Sequence, residues 1–515
     1  MKKDKYISLI LLIVVIFGIA VRMYRLFEWL PWEPDVGRDM VVVKRMIQDN
    51  GPYNIQITSG SSSGFVVNSP LYYWITALLY LITHSPHGVV LVYAWWNVLG
   101  ILFSYLIGKL AGDKYLGLLY ALFVSSNYIM VTLSQKVWQQ SILPTLTILN
   151  ILLLQIAYVR TNVIWLLLLI NASFLGLHFH VSFYPIFIVN SLWIAVLIVR
   201  QMKKKFAHGL LCVFNYLGHA ALWLHIVWQN ATVNPLNHIQ WAQERISIAS
   251  YASQINLISK NIVSLLFFNQ NYLISLFIIV LTLVSLVYLA HKQRGAFTLA
   301  RITIFYLLTI LLLAFYPEPF FFGRLMIYYP LALLAISLVV REIIGNKIIQ
   351  SLVIVLLVYL SSSATVSVFT DPPPNQIQKT EQLARYILQD YHQDCDLSCP
   401  DLPQLRVYSI ENIAEESDWY TGQYWYFLEK ISGRRLVKPV NYGNNLEPLI
   451  ENPTVRYLIC PVLDREKNRI KKLCVEEYLK LYNNQYNHHL PTPRFDLNLP
   501  DNLKHLYVVY KWSNK

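Results

Sequence analysis

Charged side chains are scarce in this chain: they make up 14% of its 515 residues, against about 25% in a typical soluble domain. With 55% of residues hydrophobic, that shortage excludes an ordinary soluble globular protein. The chain shows no internal repeat and no low-complexity tract, which counts against a transporter built from repeated halves. Acidic residues are outnumbered 29 to 42 by Lys and Arg, for a net charge of +13. In a soluble protein such a balance would suggest nucleic acid. Here many Lys and Arg sit in short loops between apolar runs, the signature of membrane orientation, so a nucleic-acid partner is rejected.

Cysteine is also rare, at five residues. Cys212 lies in an apolar run and reads as a small core residue. Cys395, Cys399, Cys460 and Cys474 fall in the C-terminal region, where they fit two disulfides of an oxidising compartment. Free thiols and a metal site are the alternatives. The spacing of Cys395 and Cys399 is not that of a zinc knuckle.

What the chain does have is long apolar runs. A helix needs about 20 apolar residues to cross a bilayer. The first run, 6–26, follows the basic MKKDK and has no small-residue cleavage site after it. It reads as an uncleaved span with a cytoplasmic N-terminus. Further runs lie near 89–110, 115–133, 140–159, 162–179, 181–200, 207–228, 271–290, 299–316, 325–340 and 347–369, giving about eleven spans. The segment 70–83 is too short for a secure span. Leaving it uncounted puts Lys109, Lys114, Arg160, Arg200, Lys203, Lys204, Lys205, Lys292, Arg294, Arg301, Arg341 and Lys347 on the N-terminal side of the membrane. That satisfies the positive-inside rule, so 70–83 is expected along the outer leaflet, with Tyr72, Tyr73 and Trp74 at the interface.

The expected fold class is therefore a mainly α, polytopic membrane protein with a C-terminal extracytoplasmic α/β domain. Residues 1–370 form the membrane domain, with a first outer loop at about 27–88, and 371–515 the soluble domain. DPPPN at 371–375 breaks the chain between them. Strands are expected at 406–410, 455–460 and 505–512, and helices at about 378–391, 418–432 and 465–482.

Chemistry-bearing residues collect on the expected outer side. The spacing predicts an amphipathic helix over 36–47 capped by Asp35. Asp35 is either that cap or a carboxylate at the mouth of a membrane cavity. Arg38 and Asp39, three and four residues on, face the same way. The loop 134–144 offers Lys136, Trp138, Gln139 and Gln140, or is simply an interfacial loop anchored by its Trp. LHFHVSFYP brings His178 and His180 to the end of two spans. A two-residue spacing on a helix does not aim both imidazoles one way, which disfavours a metal pair unless the helix ends there. Arg324 enters a late span, either snorkelling to headgroups or binding phosphate through its planar fork.

These residues together resemble a known pattern across roughly 1–370. VRMYRL is followed by the acidic PDVGRD, then TSGSSSGFVVNSPLYYW, a SQKVWQQSILP loop, LHFHVSFYP and GRLMIYYP. In that order they are similar to the GT-C superfamily of polytopic glycosyltransferases, in the branch of protein O-mannosyltransferases and aminoarabinose transferases.

The resemblance implies a catalytic first-loop carboxylate, here Asp35, with Asp39 as a second candidate. It implies a polyprenyl-phosphate sugar donor, inversion at the anomeric carbon, and an acceptor that is protein, lipid or polymer. Arg38 and Asp39 would orient Asp35; Arg324, His178, His180, Lys136, Trp138, Gln139, Tyr72 and Tyr73 would bind substrate. Many relatives carry a second carboxylate in the loop that here reads SQKVWQQS, and none is present. No metal ligands are assigned, and metal-independent action is favoured over a divalent cation. A prokaryotic plasma membrane is expected, since no organelle signal is visible. A flippase of lipid-linked sugars and a non-catalytic membrane scaffold are the rival functions.

Overall fold

The computed structural model describes residues 2–48, 71–231, 272–292, 298–308, 327–343, 347–370 and 376–394, and in the C-terminal region 405–409, 422–433, 437–439, 446–448, 455–461, 495–496, 499–500, 503 and 507–513. They divide into two compact units, Met1–Leu26 with Asn54–Asp371 and Phe27–Tyr53 with Pro372–Lys515. In chain order the helices are α1 (Lys2–Met23), α2 (Pro34–Gln48), α3 (Leu71–Thr83), α4 (Pro86–Leu110), α5 (Lys114–Ser126), α6 (Tyr128–Ser134), α7 (Leu143–Arg160), α8 (Val163–Phe179), α9 (Tyr184–Lys204), α10 (Phe206–Ala231), α11 (Tyr272–Lys292), α12 (Leu299–Leu308), α13 (Tyr329–Ile343), α14 (Lys347–Thr370), α15 (Ile377–Asp394) and α16 (Gly422–Ser432). The strands are β1 (Leu405–Ser409), β2 (Val437–Pro439), β3 (Leu446–Pro448), β4 (Val455–Pro461), β5 (Phe495–Asp496) and β6 (Tyr507–Ser513).

The first unit is helical and polytopic. Among the described residues five helices are long and apolar enough to cross a membrane, and a sixth span results if α5 and α6, bent by 60°, are one broken crossing. Of the expected runs, 299–316 and 325–340 reach into residues outside those described. α3 has 13 residues, about 20 Å of helix and too little to span the hydrocarbon core.

Close helix approach and polar contacts hold this unit together, as expected where lipid supplies no hydrophobic drive between helices. α4 lies so near α5 that a Cβ on Gly108 would come within 2.1 Å of the Gly117 nitrogen. Deeper in, Ser173 donates to Asn150 Oδ1 at 2.8 Å. Asn190 donates to the same oxygen at 2.8 Å, and Tyr306 donates to Asn190. One network thus ties α7, α8, α9 and α12. Arg22, fully buried at the end of α1, donates to the carbonyls of Val124 at 2.9 Å and Ser125 at 3.1 Å. It satisfies the last turn of α5 where the broken crossing leaves carbonyls without helical partners. Asn127 then caps α6, accepting from Met130 N–H.

The second unit pairs helices with a four-stranded sheet of order β1-β4-β6-β5, in which β1 and β4 are parallel and the other pairings antiparallel. Tyr457 and Ile459, two apart on β4, are buried, and Ile459 faces the buried Val509 in register. Leu383, Ala384, Ile387, Leu388 and Tyr391 form the buried stripe of α15 at helical spacing. The short β2, β3 and β5 escape sequence expectation, because two or three residues are too few to show period-two alternation. The expected helix at 465–482 lies outside the described residues, as do Cys395, Cys399 and Cys474. Cys460 lies on β4, and Cys212 is buried and free.

The first outer loop does not behave as one element of the membrane part. Its opening, Phe27–Tyr53, belongs to the second unit. Pro31 bridges Gln376, and Leu30 C=O accepts from Ile377 N–H at 3.0 Å. Trp32, fully buried, lies 5.2 Å from the rings of both Tyr426 and Phe427 on α16.

Candidate functional site

The residues singled out in the sequence fall into two clusters, one in each unit, with Arg324 outside the described residues. The acidic cluster opens α2. The helix starts two residues earlier than capping by Asp35 requires. Pro34 occupies the first helical position, where its fixed φ is pre-organised and its missing N–H costs nothing. Glu33 C=O accepts the first helical bond, from Gly37 N–H at 3.0 Å. Asp35 therefore stands inside the first turn, and its carboxylate meets Arg38 Nη1 at 2.8 Å.

Arg38 serves two carboxylates. Its Nη1 reaches Asp35, while Nε and Nη2 donate to Asp39 Oδ1 at 3.1 and 2.9 Å. The side chains of Arg38 and Asp39 are 8% and 0% exposed, and that of Asp35 is 47% exposed. Asp39 fixes Arg38, and Arg38 in turn fixes a carboxylate that solvent can reach. A planar fork is suited to such bridging, and a single ammonium is not. The trio carries one net negative charge at Asp35's end.

The second cluster lies in the first unit. α3 presents Tyr72 and Tyr73, both fully buried and edge to face at 5.0 Å. Tyr72 also meets Phe179 at the end of α8. The loop after α6 carries Lys136 and Trp138, then turns into a 3-10 segment, Gln139–Ile142. That segment is fastened from α4: Trp96 donates to Ile142 C=O at 3.0 Å and Asn97 to Ser141 C=O at 3.1 Å. Gln139 reaches Tyr73 OH at 3.3 Å.

The two histidines part company because α8 ends between them. His178 sits in its last turn, buried, whereas His180 is its extended C-cap, at φ −159°. Neither His178 ring nitrogen has a hydrogen-bond partner. His180 Nδ1 accepts from Ser182 N–H at 3.1 Å and lies 2.8 Å from Ser182 Oγ. Its Nε2 lies 3.2 Å from Gln140 Nε2. Gln140 and Ser182 are the partners that spacing alone did not rank. Among the described residues no group of three or more His, Cys, Asp or Glu side chains is placed to hold a metal ion.

No family model matches the sequence, and no curated protein does. Solved structures do match. ArnT from Cupriavidus metallidurans in the apo state superposes with a TM-score of 0.59 at 10% identity, over 99% of this chain and 98% of that one. The same protein bound to undecaprenyl phosphate gives 0.59 at 10% identity, over 98% of each chain. The Archaeoglobus fulgidus oligosaccharyltransferase in complex with Zn and sulfate gives 0.50 at 11% identity, over 83% of this chain and 62% of that one. From end to end, this chain shares its fold with ArnT from Cupriavidus metallidurans.

Proposed function

We propose that the chain is an inverting glycosyltransferase, moving a hexose or pentose from a polyprenyl-phosphate donor to a hydroxyl of a protein, lipid or polymer at the outer face of a plasma membrane. The observation that carries this reading is the half-exposed Asp35 held by the buried Arg38–Asp39 pair at the start of α2. The end-to-end fold likeness to a protein bound to undecaprenyl phosphate supports it.

Asp35 takes the proton of the acceptor hydroxyl as its oxygen bonds to the anomeric carbon. The bond from that carbon to the phosphate oxygen breaks with its electron pair. Polyprenyl phosphate leaves as the anion, and the configuration inverts. A phosphate needs positive charge rather than a proton to depart, and Lys136 and Arg324 are assigned that part. Tyr72, Tyr73, Gln139 and His180 are assigned the sugar hydroxyls, Trp138 and His178 the walls of the same site. Residues 1–370 hold the donor, with the N-terminus cytoplasmic and 371–515 outside.

The test is a deletion strain complemented with wild-type or Asp35→Asn protein, its envelope glycans read by mass spectrometry. One glycan should vanish on deletion, return with wild type and stay absent with Asp35→Asn. Its return with Asp35→Asn would remove that carboxylate from the mechanism. An unchanged glycan profile on deletion would favour the scaffold reading.

A further inference from the structure

We infer that Glu429, on α16 of the C-terminal region, is a positioning residue for the carboxylate at the head of α2, acting through Arg45. The inference rests on the transferase reading above and assigns part of that machinery to the soluble domain.

Arg45 Nη2 and Glu429 Oε1 lie 2.5 Å apart, with side chains 9% and 1% exposed. The two residues are 384 positions apart in sequence. A pair buried this deeply is weak evidence for stability. The cost of removing both charges from water often exceeds their attraction, and apolar replacements are frequently as stable. The best attested use of such a pair is to fix register, and α2 has a register to fix. Its buried residues Val36, Met40, Val41, Val43 and Met46 surround the helix broadly, so apolar packing specifies its rotation poorly. A one-residue slip would turn α2 by about 100° and carry Asp35 to a different side.

Arg45 is placed to prevent this. It follows Arg38 by seven residues, about 20° short of two full turns, so both arginines share one stripe. Pinning Arg45 to Glu429 therefore sets the angle at which Arg38 presents Asp35. The chain entering α2 is held by the same partner helix, through Trp32 against Tyr426 and Phe427. α16 thus grips α2 at its entry and again at Arg45.

The experiment uses the full-length protein in detergent, with sugar-bearing polyprenyl-phosphate lipids extracted from the host membrane as donor. Arg45→Met/Glu429→Leu removes both charges without stranding either. It should fold and bind undecaprenyl phosphate as wild type does, while kcat falls between about tenfold and hundredfold, the scale of a small misplacement at a reacting group. KM for the donor should stay unchanged, and amide exchange over 34–48 should speed up. The exchanged pair Arg45→Glu/Glu429→Arg should recover most of the lost kcat. Wild-type kcat in the apolar double variant overturns the inference, and so does an exchanged pair no better than that variant. If wild type itself transfers no sugar, it is the transferase reading that fails. Amide exchange then decides the positioning role: lost protection of α2 in the double variant supports it, and unchanged protection overturns it.

Discussion

At the scale of single residues, Arg38 has the largest consequences. Arg38→Ala would take from Asp39, which has no exposed side-chain surface, the guanidinium that pairs with it. Breaking such a pair costs about 3–5 kcal/mol, and thermal unfolding in detergent should show a marked fall. Arg38→Lys keeps a charge but loses the fork that bridges two carboxylates. It should melt closer to wild type and still lose most of its kcat. Much of this cluster was legible: Asp35, Arg38 and Asp39 are adjacent on any helix drawn through 36–47. The division between His178 and His180 was not, because it depends on the residue at which α8 stops. Nor was the contact of His180 with Ser182, whose backbone N–H donates to Nδ1.

At the scale of elements, the first unit depends on polar atoms that no hydropathy profile weighs. Arg22 reads as one more basic residue at the end of a run, yet it closes the C-terminus of α5, more than 100 residues away. Arg22→Met should reduce the yield of folded protein and lower its melting temperature, since at least two carbonyls lose charge-assisted bonds worth about 1.5–3 kcal/mol each. Asn190→Leu should cost about 1–2 kcal/mol, the upper range for polar contacts between membrane helices, because it removes a partner from Asn150, Ser173 and Tyr306 together. A loss no larger than that of a lipid-facing control such as Leu192→Ala would contradict the network. Strands β1, β4 and β6 announced themselves through alternating Val, Tyr and Ile, whereas β2, β3 and β5 carry no such pattern.

At the scale of the whole molecule, the sequence suggested a cut near residue 371, and the two units of the structure also divide at Leu26–Phe27 and at Tyr53–Asn54. No local pattern marks these, because Leu30, Pro31, Trp32 and Arg45 meet partners that lie between residues 376 and 429. The carboxylate-bearing helix therefore belongs structurally with the C-terminal region, although it follows the first span in sequence. The account as a whole stands on Asp35 acting as the base of a transfer reaction. Single-turnover transfer by purified Asp35→Asn protein, alongside its binding of undecaprenyl phosphate, tests that most directly. The rate should fall by about 10²–10⁴, the usual contribution of a general base, with binding and melting temperature unchanged. Transfer at the wild-type rate would contradict it.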